Sequence, residues 1–145
     1  MNISLVSTKA LKIELEPLLE EEATEIELDE DEEFDFRFDY SAHRPDTLDV
    51  RNKFAIAFKA LIQYPKDSVQ FSIVFLAQFH TDDDFEDEYL NSKFALINAP
   101  AIGYPFLRAF IANTLVLAGY EQLMLPTINF VKLYEHKLEQ INQTE

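Results

Sequence analysis

An α+β fold, strands first and helices second, is predicted by this sequence on two observations. Apolar residues alternate with polar ones in four segments before residue 80. After the cluster Asp82-Asp83-Asp84-Phe85-Glu86-Asp87-Glu88 no alternating segment recurs, and apolar residues fall at helical spacing instead. A run of strands followed by a run of helices points to a layered α+β structure rather than a parallel α/β sheet. At 145 residues the chain is long enough for one ordinary domain, and a single domain over 1–145 is expected.

The first strand is read at Leu11-Lys12-Ile13-Glu14-Leu15-Glu16, apolar and charged residues alternating so that one face is buried, with Pro17 ending it. Residues 18–33 form an acidic connecting segment. Its run from Glu20 to Glu33 repels itself and should be solvated, with a short extended piece around Ile26 and Leu28. In the second strand Phe34, Phe36, Phe38 and Tyr40 share one parity and Asp35, Arg37 and Asp39 the other, which gives an aromatic face. A turn-rich stretch with Ser41, Arg44, Pro45 and Asp46 leads to a third strand, where Phe54, Ile56, Phe58, Ala60, Ile62 and Tyr64 share a parity. Pro65-Lys66-Asp67 supplies a tight turn. The fourth strand then sets Val69, Phe71, Ile73, Phe75, Ala77 and Phe79 on one face.

The helical part starts at Gly103-Tyr104-Pro105, with proline in the first turn, and Gly119 suits the left-handed residue just past the end. Between them Phe106 to Ala118 is apolar on nearly every side, so this helix needs more than one neighbour. Leu123-Met124-Leu125-Pro126 is an apolar connector. Asn129 can cap a last helix whose Phe130, Leu133, Tyr134, Leu138 and Ile141 lie on one stripe, opposite Lys132, Glu135, Lys137 and Glu139.

Several function classes are disfavoured at once. The chain has no cysteine, which removes disulfides, thiolate metal sites and cysteine nucleophiles and is compatible with a reducing cytoplasm. No basic start followed by an apolar run marks a secretory signal. The longest apolar stretch, Ala109 to Tyr120, is broken by Asn113 and Thr114 and is too short to cross a bilayer, so membrane insertion is not expected. A net charge of −15 disfavours nucleic acid as a ligand, since that affinity comes from cations displacing counterions, and favours basic protein segments. With two glycines, Gly103 and Gly119, there is no phosphate loop or dinucleotide fingerprint, and no nucleophile elbow accompanies the Ser, His and Asp residues. His80, Asp82, Asp83, Asp84 and Glu86 could be read as metal ligands. They lack a calcium-loop glycine or a second His at ligand spacing, so a solvated turn is the better reading. No enzyme, metal or cofactor is expected.

The strands themselves ask for a partner. Val74 and Leu76 make the other face of the fourth strand apolar too, and Ala55, Ala57 and Leu61 add to it on the third. A sheet covered only by its own helices should be polar there, so a second subunit or a ligand is expected to cover it. Stacking of sheets in an oligomer is the preferred explanation. With the helix that is apolar all round, it makes Val74, Leu76, Phe106, Phe110 and Ile111 the candidate oligomer interface.

The stretch Ala99-Pro100-Ala101-Ile102-Gly103-Tyr104-Pro105-Phe106-Leu107-Arg108 resembles the segment leading into the long helix of the SecB family. Gly119-Tyr120-Glu121-Gln122-Leu123-Met124-Leu125-Pro126-Thr127-Ile128-Asn129-Phe130 is similar to that family's helix-connecting loop, and Leu133-Tyr134 continues into its last helix. The amino-terminal half matches by layout: four strands, a long connection after the first, and a tight hairpin between the last two. The resemblance implies a four-stranded antiparallel sheet followed by two helices, and dimers pairing into a tetramer. It also implies apolar grooves that hold unfolded or precursor polypeptides; with no nucleotide motif in the sequence, holding without ATP is expected, as is a cytoplasmic location. Sheet face, connector and last helix would converge on Phe36, Phe38, Tyr40, Leu123, Leu125, Phe130 and Tyr134 as the client-binding groove. The plainer alternative is that these residues are core.

Exporting members of the family dock on the SecA motor through acidic residues on the first sheet strands and a basic carboxyl-terminal tail. Here the first-strand pair aligns with Ala10 and Glu14, the fourth-strand position falls near Val74, and Gln140-Ile141-Asn142-Gln143-Thr144-Glu145 lacks that basic character. The likeness therefore reaches client holding further than it reaches SecA. Some SecB-like proteins guard an antitoxin, a role that survives this loss. An alternative from another class is an inhibitor whose acidic run mimics nucleic-acid phosphates.

Overall fold

The computed structural model describes residues 2–46 and 50–144. Four strands, β1 (Ile3–Pro17), β2 (Asp35–His43), β3 (Lys53–Tyr64) and β4 (Val69–Thr81), form one antiparallel sheet in the order β1-β4-β3-β2. A short helix α1 (Glu20–Thr24) lies in the connection that carries the chain from one edge of the sheet to the other. The helices α2 (Ala99–Leu117) and α3 (Phe130–Thr144) come after the sheet.

The alternation in β3 and β4 is realised residue for residue. Phe54, Ile56, Phe58, Ala60, Ile62 and Tyr64 pair across the strands with Phe79, Ala77, Phe75, Ile73, Phe71 and Val69, and all twelve are buried in the core. Burying each large side chain is worth about 1.5–3 kcal/mol, which makes these two central strands the main source of the fold's stability. The hairpin between them is a single 3₁₀ turn, Pro65–Asp67, closed by Ser68 at φ 53 with its N–H donating to the Pro65 carbonyl at 3.1 Å.

β1 differs from the reading of Leu11–Glu16 as the strand: it begins at Ile3 and carries two bulges. Leu5 pairs with Phe79 and Ser7 with Gln78, so Val6 is extra; Ala10 pairs with Phe75 and Lys12 with Val74, so Leu11 is extra. Each bulge flips the parity of the residues beyond it. Ile3, Leu5, Ala10 and Leu15 therefore pack on the core, while Leu11, which alternation alone assigns to the same face as Leu15, is 53% exposed.

α2 also starts earlier than Gly103. Five residues in π conformation, Phe94–Asn98, run straight into it, and Ser92 serves as the cap, its hydroxyl accepting from the Ala95 N–H at 3.5 Å. Pro105 is therefore inside the helix rather than in its first turn. Gly103 has a different purpose from the one its position suggests: a Cβ there would lie 2.8 Å from the Ala77 Cβ and 3.2 Å from Phe58 Cε2, so its missing side chain sets how closely α2 approaches the sheet. The end is as expected. Gly119, at φ +99, donates to the Val116 carbonyl and Tyr120 to the Leu115 carbonyl, the paired bonds of a left-handed helix stop.

The unbroken helix from Phe94 to Leu117 spans 24 residues, longer than the apolar stretch the sequence marks out, and is long and apolar enough to cross a membrane by length and composition. One side of it is buried against the sheet, through Ala95, Leu96, Ala99, Tyr104, Leu107, Ile111 and Leu115, as in a core helix.

Candidate functional site

β2 is an edge strand, so its aromatic face meets the core on one side and open surface on the other. Phe38 lies at the centre. Its ring is 5.8 Å from Phe36, 6.1 Å from Tyr40, 5.8 Å from Phe58, 5.5 Å from Tyr104 and 6.1 Å from Phe130. Phe130, at the start of α3, stands edge-on to Tyr40 at 5.4 Å and to Tyr104 at 5.8 Å. Strand, long helix and last helix are thus joined through one cluster of rings, in the offset and edge-to-face geometries that aromatic quadrupoles favour.

Two phenols fix the cluster to backbone. Tyr40 donates its hydroxyl to the Leu96 carbonyl at 2.6 Å, tying β2 to the π turn, and Tyr104 donates to the Pro126 carbonyl at 2.7 Å, tying α2 to the connector. Burial pushes both phenols up to about 12; nearby Asp39 adds to the shift of Tyr40, while Arg108 acts against that of Tyr104. Burial alternates along the connector. Leu123 and Leu125 are buried, while Met124 between them is 60% exposed. Asn129 caps α3 as expected, its side-chain oxygen accepting from the Lys132 N–H at 3.2 Å. Lys137 reaches back from α3 to the Tyr40 carbonyl at 2.7 Å, to Asp39 at 3.2 Å, and over the Tyr40 ring at 4.5 Å.

The groove candidates divide by this geometry. Tyr40, Leu123, Leu125 and Phe130 are buried within the subunit. Phe36, Phe38 and Tyr134 are half-buried and packed against the core, alongside Phe34, Ile128 and Leu133. The structure thus brings together Phe36, Phe38, Tyr40 and Phe130, and adds Phe58 and Tyr104, which sequence reading left out of the site. Phe58 shares the buried parity of β3 and Tyr104 falls beside Gly103, so neither carried a signal separating it from ordinary core. The Ile141 side chain and Glu145 lie outside the described residues.

The interface candidates divide as well. Ile111 is fully buried in the core and so does not face outward. Phe106 is 50% exposed, and Phe110 is half-buried with its ring 5.6 Å from Phe75. Around them the outward stripe of α2 exposes Ile102 (40%), Val116 (49%) and Leu117 (87%). Val74 and Leu76 are half-buried on the far face of the sheet.

The residues read as a possible metal cluster are spread along the end of β4 and the turn after it. Asp82 accepts from the Asn2 N–H at 3.1 Å, and the Asp83 carbonyl accepts from Thr81 at 2.5 Å. Among the described residues no group of three or more His, Asp or Glu side chains is placed to hold a metal ion.

Comparison with known proteins agrees with this architecture. Residues 34–141 match the family model described as preprotein translocase subunit SecB. A protein-export protein SecB from Anaplasma phagocytophilum (strain HZ) is 42% identical over 57 residues, 39% of this chain and 35% of that protein. One from Burkholderia mallei (strain SAVP1) is 41% identical over 49 residues, 34% of this chain and 31% of that protein. The matched stretch thus spans about a third of the length of these relatives. Among solved structures, a SecB-like chaperone of Mycobacterium tuberculosis in complex with an antitoxin peptide superposes with a TM-score of 0.62 at 14% identity, covering 87% of both chains. A Streptococcus agalactiae protein of unknown function superposes at TM-score 0.52 and 12% identity, covering 88% of this chain and 98% of the other. At those identities the superpositions speak to the fold alone. Sheet order, helix layout and the extent of the family match together place this chain in the SecB family.

Proposed function

We propose that this protein is a cytoplasmic chaperone that holds unfolded polypeptides on apolar surface, without ATP, as a homodimer or homotetramer. The observation that carries this reading is the concentration of exposed apolar side chains on the helical side. Ile102, Phe106, Val116, Leu117, Met124 and Val131 are each at least 40% exposed, outnumbering the exposed apolar residues Val6, Leu11, Ile13 and Leu19 of the amino-terminal part, and the aromatics of β2 add half-buried apolar surface. Scattered single exposures need no explanation, but a contiguous apolar surface marks an interaction site. Part of it, the outward stripe of α2 around Phe106, suits a second copy. The remainder, from Phe36, Phe38 and Tyr134 to the exposed Met124, suits a client that buries its own apolar surface at about 25 cal/mol per Å². Such work needs no acid, base or nucleophile.

The test is aggregation of a chemically denatured client, monitored by light scattering with and without one equivalent of the protein and no nucleotide. Suppression is expected; equal scattering in both samples counts against client holding. A Phe36→Ser, Tyr134→Ser double variant is expected to lose most of the suppression while keeping its fold, because both residues are part-exposed.

The relatives named protein-export proteins favour precursors on their way to export as the clients. One observation favours guarding a single folding partner instead: the docking pattern of exporting members is thin, with Val74 on the far face of the sheet where an acid is expected and Ala10, aligned with another, packed on the core. Recovery of many precursors from the native cell supports the first, and recovery of one antitoxin the second. Mimicry of nucleic acid has less support, since residues 25–34 form neither helix nor strand on which carboxylates could be held in a fixed array.

A further inference from the structure

α2 carries one charge along its whole length. Between Ala99 and Leu117 the only ionisable side chain besides the Tyr104 phenol is Arg108, near the middle of the helix. Nothing nearby neutralises it. Arg108 makes no ion pair among the described residues, and the connector that runs past it, residues 118–129, holds a single acid, Glu121. That acid is turned to the hairpin: its carboxylate accepts from the Tyr64 hydroxyl at 3.3 Å, and its N–H donates to Asp67 at 3.2 Å.

An arginine that served only solubility would extend into water. Arg108 is half-buried, and its Nε is sealed from solvent with no acceptor among the described residues. Leaving a guanidinium N–H dry and unpaired costs free energy, and folded proteins hold such a donor mostly where water or a ligand completes it. Beside it the surface dips. A hollow of about 290 Å³ is lined by Arg108 with Pro105, Ala109 and Asn113 of α2 and with Gln122 and Met124 of the connector. Gln122 turns its amide to a poor acceptor, the Met124 sulfur at 3.9 Å, so a second donor stands ready on the connector side.

One fixed cation, the amides of Gln122 and Asn113, and apolar walls are thus gathered in one place. A single carboxylate on an aliphatic stem matches all three. Its two oxygens can lie against the Nε edge of the guanidinium, in the paired geometry that arginine and carboxylate favour, with its methylenes against Pro105 and Ala109. A nucleic-acid strand fits poorly, because it brings a phosphate with every nucleotide and no second cation lines the hollow. A second copy placed over the hollow by a two-fold axis at mid-helix sets one Arg108 against the other, and α2 holds no acid to separate them.

We propose that the hollow beside Arg108 takes the carboxylate of a glutamate or aspartate side chain in a bound polypeptide, so that the apolar surface ending at Met124 selects segments in which one acid stands among apolar residues. This selection rests on the client-holding reading, since Met124 belongs to both that surface and the hollow. The charge of the molecule makes the preference diagnostic. At −15 its long-range field attracts cationic segments and repels anionic ones, so only a local cation can reverse that order.

The probes are three fluorescein-labelled twelve-residue peptides of Leu, Phe and Ser that differ at one central residue, Glu, Gln or Lys, read by fluorescence anisotropy on the full chain. The Glu peptide is expected to bind about tenfold tighter than the Gln peptide, as a charge-assisted pair on a half-buried arginine predicts, and tighter than the Lys peptide. In Arg108→Met the ratio of Glu to Gln affinity is expected to fall to about one, while Arg108→Lys, which keeps the charge and loses the Nε edge, keeps part of it. Each ratio is taken on one protein, which cancels any general loss of affinity. Should Arg108→Met fail to fold, the Lys variant and the ratio on the unaltered chain carry the test. Equal binding of the Glu and Gln peptides by the unaltered chain, tighter binding of the Lys peptide, or a Glu preference that survives Arg108→Met overturns the proposal and leaves client holding in place. A Glu preference that appears only when the protein is diluted until its copies separate assigns the hollow to the contact between them and overturns it too. Binding of none of the three peptides overturns both readings.

Discussion

Gly103 and the two phenols of the ring cluster are where single atoms decide most. Gly103→Ala gains helix propensity of about 1 kcal/mol but drives a methyl to 2.8 Å from Ala77 Cβ, in a place where neither backbone can yield cheaply. The net effect expected is a loss of about 1–3 kcal/mol, read as a lower urea midpoint with unchanged slope. Tyr40 and Tyr104, both pushed up to about 12 by burial, ionise near 10 in the unfolded chain. Below pH 10 folded and unfolded states hold the same phenolic protons. Between about 10 and 12 the unfolded state releases them first, so stability falls with rising pH by up to about 1.4 kcal/mol per unit for each phenol. Urea midpoints at pH 9, 10 and 11 should show this fall, and Tyr104→Phe should flatten it.

At the scale of elements, α3 is anchored at its start, where Phe130 is buried and Asn129 caps the first turn, and beyond it the inner stripe is only half-buried. Asn129→Ala removes the acceptor for the Lys132 N–H and is expected to cost about 1 kcal/mol, measured as a loss of thermal stability, with fraying of α3 seen by amide hydrogen exchange. β3 and β4 were legible in the sequence because strict alternation on two central strands has no competing reading. β1 was legible only over its last third. Val6 and Leu11 are inserted residues, so the parity of the strand changes twice and no single period describes Ile3–Pro17. The start of α2 was hidden by Gly103 and Pro105, which look like a helix beginning, and the true cap, Ser92, precedes a π turn that apolar periodicity at 3.6 does not reveal. The site was half legible. The aromatic face of β2 and the connector stood out, but which rings would be sealed and which left at the rim depended on how α3 lies over Tyr40.

For the molecule as a whole, the exposed apolar side chains lie mostly on the helical side, while five of the twelve cations, Lys9, Lys12, Arg37, Lys53 and Lys59, stand on the far face of the sheet. If α2 forms the contact between copies, Phe106→Glu should leave the subunit folded, because the residue is 50% exposed, and weaken self-association by at least about tenfold. Light scattering over a dilution series reads the outcome as a shift toward the mass of one 16.9 kDa chain. A mass that stays the same at every dilution assigns the contact elsewhere.

The bulges of β1 also bear on how the molecule resists pairing with other chains. β1 is an edge strand of fifteen residues, and a flat edge of that length is a template on which any extended chain can polymerise. A protein whose proposed work brings it among unfolded chains meets that hazard more often than most. Two inserted residues interrupt the ladder at Val6 and at Leu11, so the longest regular stretch is Lys12–Pro17, which carries charges and ends in a proline, two features that oppose cross-β growth. The irregularity that obscures β1 in the sequence thus also shortens the regular edge that another chain could add to.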